Sequence, residues 1–151
     1  MIEEELNEKY DILLIEDNSD DVFLTNLAIK ECDLKVKLNP INDGKLAMKT
    51  IKNIEDKKEK KPDLILLDVN LPKVNGLEVL KFIKSKDFIR SVPVVIFTSS
   101  DSYLDMNQSY EIGADLYVLK PNNITSYKGA IQYIVGYTLG KQEVSPKRPI
   151  L

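Results

Sequence analysis

Residues 64–72 read Leu64-Ile65-Leu66-Leu67-Asp68-Val69-Asn70-Leu71-Pro72, in which the unbroken apolar run Leu64 to Leu67 ends on the carboxylate of Asp68. A run without polar alternation suits a parallel strand covered on both faces. Four more short runs rich in Ile, Leu or Val lie outward from it: Asp11 to Ile15, Lys35 to Leu38, Val94 to Phe97 and Leu116 to Leu119. Segments with helical spacing separate them. Phe23, Leu24, Leu27 and Ala28 form one stripe, Leu77, Leu80 and Ile83 a second, and Ile124, Tyr127, Ile131, Ile134 and Thr138 a third. Asn18 or Ser19 can cap the first helix, with Asp20 and Asp21 favourably placed in its first turn. Asn75-Gly76 is expected to take positive φ and make the turn before the third helix. Alternating strands and helices predict an α/β fold, an open parallel sheet with helices on both sides. Functional groups in such sheets gather beyond the carboxyl ends of the strands.

Composition narrows the chemistry. A chain of 151 residues, 43% hydrophobic, suffices for one compact domain. Net charge −3 and a pI near 5.1 argue against a nucleic-acid surface. The dense basic stretch, Lys57 to Lys61, reads as a solvated helix end or loop. No window is apolar for the ~20 residues a membrane span needs, and the start, Met1-Ile2-Glu3-Glu4-Glu5, is acidic where a signal peptide is basic. The single cysteine, Cys32, cannot form an internal disulfide, which fits a cytoplasmic location. The chain has no histidine, so Ser-His and Cys-His catalysis and the commonest zinc ligand are excluded together. Chemistry here must use carboxylates, hydroxyls, lysine and a hard metal.

The residues just after the strands supply that set. Glu16-Asp17 follows the first, Asp68 the third, Thr98-Ser99-Ser100 the fourth and Lys120-Pro121 the fifth. Singly, each Asp reads as a cap or turn former, Thr98 as a cap ahead of Asp101, and Lys120 as a solvated loop residue. Together they place three carboxylates, a hydroxyl and an ammonium at one end of the sheet. Crowded carboxylates repel unless a cation sits among them, and oxygen ligands suit Mg²⁺. An aspartate between a metal and a lysine can attack a phosphoryl group, with catalysis coming from positioning and electrostatics.

The set resembles the response-regulator receiver domains of two-component signalling, over about residues 10–138. The resemblance rests on Glu16-Asp17, the segment Leu66 to Pro72, Asn75-Gly76, Pro93-Val94-Val95 leading to Thr98, Gly113-Ala114, and Tyr117-Val118-Leu119-Lys120-Pro121. Thr98 follows Asp68 by 30 positions and Lys120 follows it by 52, as the family pattern requires. The charged segment Ile54 to Pro62, which looks like an extension before the third strand, together with Leu71-Pro72-Lys73 and the Thr98-Ser99-Ser100 run, looks like the small single-domain receivers associated with phytochrome-type and hybrid histidine kinases. The resemblance implies a flavodoxin-like (βα)5 doubly wound sheet in strand order 2-1-3-4-5. It implies Asp68 as phosphoacceptor and Mg²⁺ held by Glu16, Asp17, Asp68 and the backbone carbonyl of Asn70. Thr98 and Lys120 would contact the phosphoryl group, Tyr117 would be the aromatic switch that moves inward with Thr98, and Asn70 and Ser100 would tune hydrolysis. Glu16-Asp17 departs from the commoner Asp-Asp pair, and Asn122-Asn123 stands where a Phe is frequent.

The expected domain layout is an N-terminal extension over 1–9, a receiver over 10–139 and a flexible tail over 140–151. With no room for an output domain, output is expected through protein contacts, with no nucleic acid and no membrane. The implied partners are a histidine kinase or histidine phosphotransfer protein, and a homodimer through the face of helix 4, strand 5 and helix 5. The protein would then be no enzyme beyond catalysing its own phosphorylation and dephosphorylation. The complete acidic, Thr and Lys set stands against a pseudo-receiver that only binds partners, and two other α/β readings fit less well. A flavin carrier needs a Ser/Thr/Gly-rich loop where this chain has Glu16-Asp17-Asn18-Ser19-Asp20-Asp21. An aspartyl phosphohydrolase usually carries a second acid two residues on, where this chain has Asn70.

Overall fold

The computed structural model describes residues 10–140. The extension expected over 1–9, and all but the first residue of the tail expected over 140–151, lie outside the described residues. In chain order come β1 (Tyr10–Ile15), α1 (Ser19–Glu31), β2 (Val36–Ile41), α2 (Gly44–Lys57), β3 (Leu64–Leu67), α3 (Gly76–Lys84), β4 (Val94–Thr98), α4 (Tyr103–Ile112), β5 (Leu116–Leu119) and α5 (Ile124–Thr138). A single 3₁₀ turn, Ile89–Ser91, leads into β4. All strands pair in parallel in the order β2-β1-β3-β4-β5; the parallel sheet is the one expected from the alternation, and the doubly wound order is the one the resemblance implies.

The apolar runs serve both faces because alternate residues of a strand point to opposite sides. Leu13, Ile15, Ile65, Leu67, Val94 and Ile96 pack against Ala47, Ile51, Val79, Leu80 and Ile83 of α2 and α3. Ile12, Leu14, Leu64, Leu66, Val95 and Phe97 pack against Ala28 and Ile29 of α1 and Tyr127, Ile131 and Ile134 of α5. Each fully buried Ile or Leu contributes roughly 2 kcal/mol. This two-sided core fixes the carboxyl ends of β1, β3, β4 and β5 side by side.

Three local expectations need correction. Strand β2 runs on to Ile41 through Lys37, Asn39 and Pro40, past the expected Lys35 to Leu38. It is an edge strand, pairing only with β1, so one side of its backbone needs no ladder partner and Pro40 is tolerated. On α1, Phe23 is 64% exposed, and the buried row is Thr25, Ala28 and Ile29. Two residues from Thr25 on a helix, Phe23 faces away from the core. Gly76 has no positive φ, for that conformation falls to Lys73 at 69°. Asn75 instead caps α3, its side chain accepting from Leu77 N at 2.7 Å. Helices α2 and α4 carry no stripe singled out in the sequence. On α4 only Ser109 is fully buried, so its apolar pattern is too thin to read. Lys57 closes α2 and Lys58 takes the left-handed cap at φ 53°, so the basic stretch is indeed a helix end and loop.

Candidate phosphoryl-acceptor site

Backbone bonds carry the ladder one residue past the strands and so set the site residues in place. Glu16 N donates to Ile41 O at 2.9 Å, Asp68 N to Ile15 O at 3.1 Å, and Lys120 N to Thr98 O at 2.8 Å. The site sits where strand order reverses between β1 and β3.

Asp68 is the centre. It is 5% exposed, and its carboxylate accepts three donors. Oδ1 receives the Thr98 hydroxyl at 2.6 Å and the Asn70 N–H at 2.9 Å, while Oδ2 receives Lys120 Nζ at 2.8 Å. Lys120 also reaches Glu16 Oε1 at 2.6 Å and Asp21 Oδ2 at 2.9 Å. Carboxylate oxygens of Glu16, Asp17 and Asp68 lie within 4.8 Å of one another, with Glu16 and Asp68 buried and Asp17 exposed. Burial, together with the nearby Asp68 charge, pushes the Glu16 carboxyl up to about 7 against the pull of its Lys120 hydrogen bond. Burial works against the Lys120 charge, but hydrogen bonds and attraction from Asp68 and Glu16 outweigh it and hold the ammonium above its ordinary range. One ammonium among four carboxylates leaves an excess of negative charge that a hard divalent ion, with oxygen ligands, offsets. The donor set therefore fits such an ion at Glu16, Asp17 and Asp68.

The second layer reaches from β4 to β5. Ser100 N donates to Thr98 Oγ1 at 3.3 Å, and the Ser100 hydroxyl donates to Asp105 Oδ2 at 2.7 Å. Tyr117 is 2% exposed, with its hydroxyl donating to Ser100 O at 2.7 Å. Its N–H donates to the Tyr110 hydroxyl at 3.0 Å. The structure thus gathers Glu16, Asp17, Asp68, Thr98 and Lys120 into one cluster. Asn70 contributes its N–H there, while Ser100 and Tyr117 join it through Thr98 and the β4–α4 loop. The helix cap proposed for Thr98 belongs to Ser102, whose hydroxyl accepts from Asp105 N at 3.2 Å.

Two participants had no site role in the sequence reading. Asp105 holds Ser100, and Asp21 holds Lys120 from α1. Asp21 stood out only as a first-turn charge, and nothing local pairs it with a lysine 99 positions away.

Comparisons with known proteins point to one family. The family model described as response regulator receiver domain matches residues 12–132. The chain is 35% identical to Response regulator Rcp1 of Synechocystis over 129 residues, covering 85% of this chain and 88% of that one. It is 33% identical to the probable methanogenesis regulatory protein FilR2 of Methanothrix harundinacea over 136 residues, covering 90% and 88%. Among solved structures, the phosphorylated cyanobacterial phytochrome response regulator RcpA superimposes with a TM-score of 0.80 at 32% identity, covering 87% of this chain and 95% of that one. The Mn²⁺-bound form of Rcp1 gives 0.78 at 32% identity, covering 93% and 100%. No helix among the described residues is long and apolar enough to cross a membrane. On its sheet order, the cluster at its strand ends and this match along most of its length, the chain belongs to the response regulator receiver domains of two-component signalling.

Proposed function

We propose that this protein is a stand-alone cytoplasmic response regulator that accepts a phosphoryl group on Asp68, with Mg²⁺ bound beside it. It would receive the group from a histidine kinase or a histidine phosphotransfer protein and signal through protein contacts. The carrying observation is the Asp68 carboxylate, held by Thr98, Asn70 and Lys120 next to Glu16 and Asp17. Coverage of nearly the whole of Rcp1 supports the stand-alone reading.

In the transfer, an Asp68 oxygen forms a bond to phosphorus as the phosphorus–nitrogen bond of a phosphohistidine breaks, and the imidazole leaves with the electron pair. Glu16, Asp17, the Asp68 carboxylate and the Asn70 carbonyl would hold the ion. A bound Mg²⁺ offsets charge on the transferring oxygens. Lys120 supplies a fixed positive charge on the opposite side, and the Thr98 hydroxyl donates to a phosphoryl oxygen in place of Asp68 Oδ1. Asn70 and Ser100 would tune hydrolysis of the acyl phosphate. Tyr117 would act as the switch, its inward ring joined to Ser100 and so to the Thr98 loop. The face of α4, β5 and α5, where Tyr103 is 77% and Leu104 65% exposed, would present the change to a partner or a second copy.

Intact mass after incubation with Mg²⁺ and acetyl phosphate tests this reading. Wild type should gain one phosphoryl mass and Asp68→Asn none. A wild type that gains nothing, with or without Mg²⁺, would leave a binding-only receiver as the better reading.

A further inference from the structure

We infer that Asp21 is the partner Lys120 gives up when a phosphoryl group arrives on Asp68, which makes Asp21 a positioning residue that holds the unphosphorylated form. The inference rests on Asp68 as phosphoacceptor and goes beyond it. An ammonium has three N–H donors. Lys120 directs one each to Glu16 Oε1 at 2.6 Å, Asp68 Oδ2 at 2.8 Å and Asp21 Oδ2 at 2.9 Å. All three are committed before any phosphoryl oxygen enters, so a contact with that oxygen requires an exchange.

The surroundings choose which partner leaves. Asp68 carries the incoming group. Glu16 has a side chain 2% exposed, so solvent is not at hand to take the place of the ammonium at its Oε1. The Asp21 side chain is 21% exposed, on the first turn of α1, so water can take the place of the ammonium. Its backbone stays fixed meanwhile. Asp21 O accepts the Thr25 hydroxyl at 2.8 Å and the Tyr127 hydroxyl at 3.2 Å, tying this turn to α5. The carboxylate can therefore release Lys120 without α1 moving.

The test uses the full chain with Mg²⁺ and beryllofluoride, a phosphoryl analogue, followed by calorimetry. Asp21→Ala should bind the analogue about fivefold tighter, the size of one partly exposed ion pair no longer competing for Lys120. Asp20→Ala removes an equal charge from the same turn. Asp20 is exposed and is not among the partners of Lys120, so its affinity should stay at the wild-type value. Equal tightening by both variants would reduce the effect to charge repulsion and overturn the exchange. Weaker binding by Asp21→Ala would make Asp21 a brace for the bound state, which also overturns it. Tight wild-type binding that Asp21→Ala leaves unchanged overturns the exchange alone. No binding by wild type overturns the phosphoacceptor reading, and the exchange with it.

Discussion

Gly76 lies directly against the backbone of Asp68. A Cβ on Gly76 would collide with the Asp68 carbonyl oxygen and fall 2.6 Å from the Cα of Val69. The two segments are joined there by Gly76 N donating to Val69 O at 3.0 Å. A glycine is needed at the start of α3 for close approach, since its backbone conformation is ordinary.

Gly76→Ala should therefore push α3 away from the β3–α3 loop and cost about 2 kcal/mol. Denaturant unfolding would show it as a lower midpoint. Because the displaced atoms belong to Asp68, divalent-ion affinity should fall with it. A variant as stable as wild type would mean the loop yields without strain.

Lys120→Ala leaves Glu16 and Asp68 buried and facing each other without their cation. In metal-free buffer the loss should be on the order of 3 kcal/mol, as for other broken buried pairs. Added Mg²⁺ should restore part of it, because the ion then stands among the carboxylates in place of the missing ammonium. Thermal melts with and without Mg²⁺ measure both quantities, and melts that Mg²⁺ leaves unchanged in both proteins would argue against an ion at this site.

Asp17 is the exposed member of the acidic cluster. Asp17→Asn should change metal-free stability by less than about 0.5 kcal/mol. Its divalent-ion affinity should drop at least about tenfold, about 1.4 kcal/mol. Titration calorimetry with Mg²⁺ or Mn²⁺ distinguishes this from a general loss of fold.

Alkaline pH should destabilise the protein through Tyr127. Burial raises its hydroxyl to about 12, against an ordinary value of 10.0. The unfolded chain thus loses this proton near pH 10, while the folded chain keeps it until about 12. Its contribution is full below pH 10 and is lost as pH rises through 12, because the folded state binds the proton longer. The loss should reach on the order of 2 kcal/mol. Tyr127→Phe should flatten that part of the melting-temperature profile. Burial raises Tyr110 and Tyr117 in the same direction, so some alkaline loss remains.

Tyr103, Leu104 and Tyr110 give the α4–β5–α5 side a set of exposed apolar groups. Tyr103→Ala with Leu104→Ala should weaken phosphorylation-dependent self-association or partner binding while leaving acceptance on Asp68 intact. Sedimentation velocity with and without phosphodonor reads it, and unchanged association would place the contact elsewhere.

Much of this was legible in the chain. The runs at Leu64–Leu67 and Leu116–Leu119 coincide with β3 and β5, because burial on both faces leaves no polar residue inside them. Strand ends then located Glu16, Asp68, Thr98 and Lys120 without any contact being known. Elements with thin or one-sided patterns were harder. Strand β2 could hide Pro40 because it lies at an edge, and α4 buries too little to show a stripe. Phe23 looked like core because periodicity marks the apolar residues of a helix and not the side on which its neighbours sit.

The sequence by itself determined the alternation of strands and helices, the carboxyl-end positions of the chemical groups, and their kind, since the absence of histidine left acids, hydroxyls and lysine. Tertiary structure alone decided which of those groups touch. Asp21 meets Lys120 because α1 packs on α5 and the Lys120 side chain reaches from the end of β5 to the first turn of α1. Gly76 meets Asp68 because α3 starts against the loop that follows β3. Such contacts are set by the distance between elements far apart in the chain, and local residue pattern carries no measure of that distance.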